Sequence, residues 1–228
     1  RQLEGAAPGL FDRDELLGMG RIALPSILQQ STISIGTMLI QSVVNSFGSA
    51  ALAGYTAAMR MDGLLIVPMT STGSALSAYT AQNIGADRKE RVVKGYHTAL
   101  GMVVFFGALS WLLLQLCSRE ISVFFLGEEA TAVALSTSRS CLLFKSWFYC
   151  FIGFKITTDG VLRGAGDMFI FTVANFANLF LRVFLSVTLA PRFGIAMVWM
   201  TVPLGWLLNW AISYAEYRTG KWKTMRKK

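Results

Sequence analysis

Five polar side chains recur through an otherwise apolar stretch: Gln30, Ser34, Thr37, Gln41 and Asn45, separated by four, three, four and four residues. That spacing places them on one face of an α-helix. Amides and hydroxyls bind water, a polar solute or another helix, and they supply no nucleophile or proton by themselves. Two readings follow: bonds to a neighbouring helix, worth about 0.6 kcal/mol each in a membrane, or one wall of a water-filled path. Asn175, Asn178 and Arg182 repeat the arrangement at i, i+3 and i+7. An Arg in hydrocarbon costs at least about 2.5 kcal/mol, so it faces a bundle interior, a cavity or an opposite charge, or else snorkels to the interface.

Asp62 is the one carboxylate inside an apolar run away from the basic gaps, in MRMDGLLIVP. Burial would raise its pKa and a nearby cation would lower it, which suits either a coupling site or an interfacial anchor. Arg60, two positions away, lies off its helical face. Lys145, beside Trp147, Phe148 and Tyr149, divides in the same way between an aromatic-lined cavity and a snorkelling anchor.

Covalent and metal chemistry find no support. His97 is the single histidine, so no HExxH or paired metal ligands can form. Cys117, Cys141 and Cys150 sit in apolar stretches without CxxC spacing and read as small buried hydrophobes. RGAGD at 163–167 lacks the Lys and Ser or Thr of a phosphate loop. No catalytic residue, metal site or cofactor is expected.

The elements that must carry these residues are written in the composition. Of 228 residues, 54% are hydrophobic and only 15% charged, with mean hydropathy +0.50. A soluble domain is usually about a quarter charged, so this chain belongs in a membrane. Backbone polar groups in lipid must be satisfied within each span, and apolar runs this long are helices rather than barrel strands. Six stretches qualify, at about 22–46, 56–84, 96–117, 135–158, 168–190 and 195–217, separated by gaps at 48–54, 85–95, 118–131, 159–167 and 191–194. Pro68 and Pro203 are candidate bends. Small residues crowd 70–81, TSTGSALSAYTA, allowing close helix approach or a polar cavity lining.

The net charge of +8 would suggest nucleic acid in a soluble chain. Here the bases gather on alternate gaps. One side holds Arg1, Arg13, Arg21, Arg88, Lys89, Arg91, Lys94, Lys155, Arg163 and the six bases from Arg218 to Lys228, against Arg119 and Arg192 on the other. Basic loops stay inside, so both ends are expected to be cytoplasmic, with no nucleic-acid partner. The polar start, with no apolar h-region, is not a signal peptide and reads as a fragment opening in a loop.

Several motifs, in order, resemble the multidrug and toxic compound extrusion (MATE) transporters, in particular their second half. They are LPSILQQ at 24–30, FGSAALAGYTAAMRMD at 47–62, AQNIGADRKERV at 81–92, GVLRGAGD at 160–167, FGIAMVW at 193–199 and EYRTGKWK at 216–223. The resemblance implies twelve helices in two six-helix lobes related by an axis along the membrane normal, this chain being the carboxy-terminal lobe. It implies a secondary antiporter that exports amphipathic, often cationic organic compounds in exchange for protons or sodium ions. Sodium-coupled branches carry an acid in the first helix of this lobe, near positions 32–34, where this sequence has Thr32, Ile33 and Ser34. Other branches use a carboxylate in the first lobe, so the coupling ion stays unassigned.

The expected organisation is therefore all-α and polytopic. Residues 1–20 form an inter-lobe linker, 21–217 a six-helix transmembrane lobe and 218–228 a basic cytoplasmic tail. Gln30, Ser34, Thr37, Gln41, Asn45, Asp62, Asn175, Asn178 and Arg182 are the expected substrate-cleft residues. The expected partners are an amino-terminal six-helix lobe, membrane lipid and small organic substrates. The rivals are a lipid-linked oligosaccharide flippase, kept open by Lys145 and Arg182, and a six-helix scaffold that transports nothing.

Overall fold

The computed structural model describes residues 13–223. Seven α-helices follow one another: α1 (Arg13–Asn45), α2 (Ser49–Gly85), α3 (Lys89–Leu126), α4 (Ala132–Ser146), α5 (Tyr149–Ala165), α6 (Met168–Phe193) and α7 (Ala196–Thr219), with a 3-10 turn at Lys221–Lys223. Four of them, α2, α3, α6 and α7, are long and apolar enough to cross a membrane. Each closes its backbone hydrogen bonds internally, as hydrocarbon requires. Most of the linker expected at 1–20 lies outside the described residues, and α1 begins at Arg13.

All five gaps shrink and one span breaks: those expected at 48–54, 85–95 and 191–194 narrow to 46–48, 86–88 and 194–195. The gap expected at 118–131 is helical as far as Leu126, because α3 continues through a kink at Cys117 (φ −119°, ψ 18°). Ser118 and Ser122 then face α4, where Ser122 meets the Ser138 hydroxyl at 3.0 Å and Ser118 accepts from Arg139 Nε at 3.4 Å. The gap expected at 159–167 is likewise helical through Ala165. The continuous fourth stretch at 135–158 is instead two helices, 15 and 17 residues long, interrupted at Trp147 and Phe148. Helical Pro68 and Pro203 stay within α2 and α7.

The two glycine-bearing motifs end their helices by the same device. In LRGAGD, the Asp167 amide donates to Leu162 O (2.9 Å) and the Gly166 amide to Arg163 O (3.1 Å). Gly166 turns left-handed at φ +88°, a conformation that costs a residue with Cβ. In QNIGAD the Arg88 amide donates to Asn83 O (2.8 Å) and the Asp87 amide to Ile84 O (3.0 Å). Asp87 takes the left-handed role there, at φ +55°.

These two turns lie at one end of the bundle. Ile84, Val92, Ala165 and Trp222 share an apolar cluster with Leu76, Tyr96, Ala99 and Val161. Trp222 is buried there, its indole N–H on Tyr217 O at 3.0 Å. A larger core, including Tyr55, Met69, Leu142, Tyr149, Val198 and Trp206, joins α2, α4, α5 and α7. Among the described side chains of α1, Gly36, Ile40 and Val44 are buried and Val43 packs on the core, with Gly36 against Leu179 of α6.

Candidate functional site

Helix α1 presents Gln30, Ser34, Thr37, Gln41 and Asn45 on the open surface of the chain. The Ser34 hydroxyl donates to Gln30 O (3.0 Å) and the Thr37 hydroxyl to Ile33 O (2.9 Å), so these side chains need no second helix to be satisfied. Gln41 and Asn45, with Met38, Ser42, Leu52 and Thr56, line a hollow of about 350 Å³ at the head of α2. Apolar Ile35, Met38 and Leu39 are exposed as well, at 58%, 67% and 48%. From Gln30 to Asn45 the exposed surface of the helix thus extends beyond its polar stripe.

Asp62 sits elsewhere, in the interior. Its Oδ2 lies 2.6 Å from Lys145 Nζ, and its Oδ1 accepts the Tyr149 hydroxyl at 2.8 Å. Lys145 is 2% exposed and its ammonium also stands 5.7 Å above the Trp206 ring. Both anchor readings are corrected by this geometry. Neither side chain snorkels, because each neutralises the other and an isolated charge would be costly at that depth.

The polar face of α6 turns toward α5 and α7. Asn175 is buried, its amide nitrogen donating to Phe171 O (2.8 Å) and its Oδ1 accepting from Lys155 Nζ (3.0 Å). Asn178 and Arg182 pack on Gly205 of α7, where an added Cβ would collide with Asn178 Oδ1 and crowd Arg182 Cγ at 2.8 Å. Gly205 therefore permits the close approach of α6 and α7. The spacing of Asn175, Asn178 and Arg182 correctly implied a shared face, which closes on other helices of the lobe.

A second ion pair escaped the sequence reading. Lys155 Nζ lies 3.2 Å from Asp159 Oδ2, and Asp159 Oδ1 accepts from Ser213 Oγ at 2.7 Å. Asn175 Nδ2 approaches Asp159 Oδ2 at 3.4 Å, completing a link across α5, α6 and α7. The sequence counts Lys155, near the end of the 135–158 stretch, among the inner bases and opens the next gap at Asp159. The signal available was their i, i+4 spacing, the separation that pairs charges along a helix. Outside the spans, Asp167 caps α6 by accepting from the Ile170 amide at 3.2 Å, and burial pushes its carboxyl above the usual range. Among the described residues, no three His, Cys, Asp or Glu side chains converge.

The arrangement has clear relatives. The chain is 26% identical over 207 residues to the probable multidrug resistance protein YpnP of Bacillus subtilis, covering 90% of this chain and 46% of that protein. It is 24% identical over 211 residues to the probable multidrug resistance protein YoeA of the same organism, covering 91% and 45%. It spans about half the length of these curated relatives. A solved MOP superfamily transporter from Pyrococcus furiosus shares the fold at TM-score 0.86 and 21% identity, over all of this chain and 50% of that one. The MatE family model matches residues 25–188. A multi-pass helical chain matched by that family model over most of its length belongs to the MatE family of membrane transporters, which are not enzymes.

Proposed function

We propose that this chain is the carboxy-terminal lobe of a two-lobe secondary antiporter that exports amphipathic, often cationic organic compounds in exchange for protons or sodium ions. The observation that carries the reading is the complete superposition of this chain on half of a solved transporter. In this reading α1, and α4 with α5 as one broken span, join the four long helices to make six crossings. Both ends lie in the cytoplasm, since removing Lys155 from the inner set of bases leaves the excess over Arg119 and Arg192 intact. The partner is an amino-terminal six-helix lobe. The cleft wall is the exposed stripe of α1, and the hollow at Gln41 and Asn45 lies on it. Asp62, Asn175, Asn178 and Arg182 act behind that wall, holding the helices that present it. The lobes rock about the cleft, with substrate and coupling ion favouring different states.

The flippase reading needs free cations to hold a pyrophosphate. Lys145 is neutralised by Asp62, which weakens it. The test is single-cysteine accessibility in the full-length protein. Cysteines at Ser34, Thr37 and Gln41 should react with small aqueous thiol reagents and be protected by an exported organic cation. Protection by a pyrophosphate-linked lipid instead would favour the flippase. Reactivity that no solute changes, with no efflux from membrane vesicles, would favour a scaffold.

A further inference from the structure

We propose that the groove between α2 and α3 binds an anionic phospholipid, with the phosphate held at Lys94 and Arg91 and one acyl chain lying along α3. The groove has a volume of about 620 Å³ and runs between Ala75, Leu76 and Tyr79 of α2 and Lys94, Ala99 and Met102 of α3. Both helices are long and apolar enough to cross a membrane, so the groove faces hydrocarbon for most of its length. Its walls are mostly apolar, with the hydroxyls of Ser71, Thr72 and Thr98 among them, those of Thr72 and Thr98 donating to Pro68 O and Lys94 O of their own helices, and Lys94 is exposed at one end. The Tyr79 ring packs against Gly95, where an added Cβ would sit 2.6 Å from it.

The charge beyond that end is what selects the headgroup. Arg91, one helical turn from Lys94, is exposed and lines a second hollow of about 470 Å³ with Arg88 and Lys89 and the acids Asp87 and Glu90, which leaves it one positive charge in excess. Lys89 is occupied by Asp87 at 3.1 Å, whereas Arg88, Arg91 and Lys94 form no ion pair among the described residues. Glu90, spaced i, i+4 from Lys94, does not reach it within ion-pair distance. Lys94 at the mouth of a mostly apolar groove, with Arg91 one turn beyond it, matches the two halves of an anionic lipid, and basic pockets between transmembrane helices hold such headgroups. Further along α3, exposed Met102, Phe105, Leu109 and Leu116 continue the same side, offering an acyl chain a path that a polar ligand would avoid. Another protein helix is the competing occupant, and it would need an acid opposite Lys94.

The test uses the full-length protein in nanodiscs containing phosphatidylglycerol with a diazirine on one acyl chain, or the matching phosphatidylcholine, followed by peptide mass spectrometry. Phosphatidylglycerol should label the segment holding Thr98, Ala99 and Met102 severalfold more than phosphatidylcholine. Lys94→Gln should lower that labelling about fivefold, the effect of one basic residue at an anionic lipid surface. Lys94→Arg should retain it, and both variants should elute as the parent does on size exclusion. Equal labelling by the two lipids would overturn the proposal, as would labelling indifferent to Lys94→Gln. A disulfide from a cysteine at Ala75 to another segment of the protein, with no lipid label, would assign the groove to a helix instead.

Discussion

Asp62 and Lys145 form an ion pair 2.6 Å long that ties the middle of α2 to the last turn of α4. The other Asp62 oxygen is held by Tyr149, the first residue of α5. One carboxylate thereby spans the break at Trp147 and Phe148 and sets the two half-helices against α2. Removing one partner of a buried pair strands the other, at a cost of about 3–5 kcal/mol. Asp62→Asn and Lys145→Met should each lower the thermal stability of the detergent-solubilised protein strongly. The double variant should recover much of the loss, and additive losses in this cycle would refute the coupling.

The link across α5, α6 and α7 should respond in graded fashion. Ser213→Ala removes a neutral donor to a carboxylate and should cost about 1.5–3 kcal/mol. Asp159→Leu leaves the Lys155 ammonium beside Asn175 alone and should cost more. Melting by tryptophan fluorescence would rank the two, and a reversed order would show that Lys155 finds another partner.

Gly205 and Gly63 make a matched pair. A Cβ at Gly205 meets Asn178 and Arg182, whereas at Gly63 nothing lies within 4 Å. Gly205→Ala should destabilise by about 1–3 kcal/mol through overpacking between α6 and α7. Gly63→Ala should be neutral or stabilising by up to about 1 kcal/mol, as expected in a helix interior. Equal effects in a stability assay would contradict the close approach.

Asp167 has a pH signature. Its carboxyl value in the folded chain is raised by burial, so the folded state binds its proton more tightly than the unfolded state does. Its contribution is therefore most favourable below the ordinary carboxylate range and falls as pH rises through that range toward the raised folded value. Asp167→Asn keeps a capping oxygen without the charge, so its stability relative to the parent should increase from acid to neutral pH. Asp167→Ala should cost about 1 kcal/mol from the lost cap. A difference between parent and Asn variant that does not change with pH would refute the burial argument.

Much of the architecture was legible in the sequence because a helix in lipid satisfies its backbone locally. Apolar length and the QNIGAD and LRGAGD stops suffice to place α2, α3, α6 and α7, and the periodic spacing of Asn175, Asn178 and Arg182 suffices to put them on one face. The polar stripe of α1 was legible for the same reason. The break at Trp147 and Phe148 was not, since those aromatic residues are as apolar as the helices they interrupt. Nor were the partners that Asp62 and Asp159 find on other helices. Lys145 stands 83 positions from Asp62 and Ser213 stands 54 from Asp159, distances over which no local periodicity carries information. Which cation meets which carboxylate depends on the axial offset and rotation of packed helices, set where Gly205 admits Asn178 and Gly36 admits Leu179. The spans follow from composition and local hydrogen bonding, whereas the pairing of charges between helices exists only once the helices have packed.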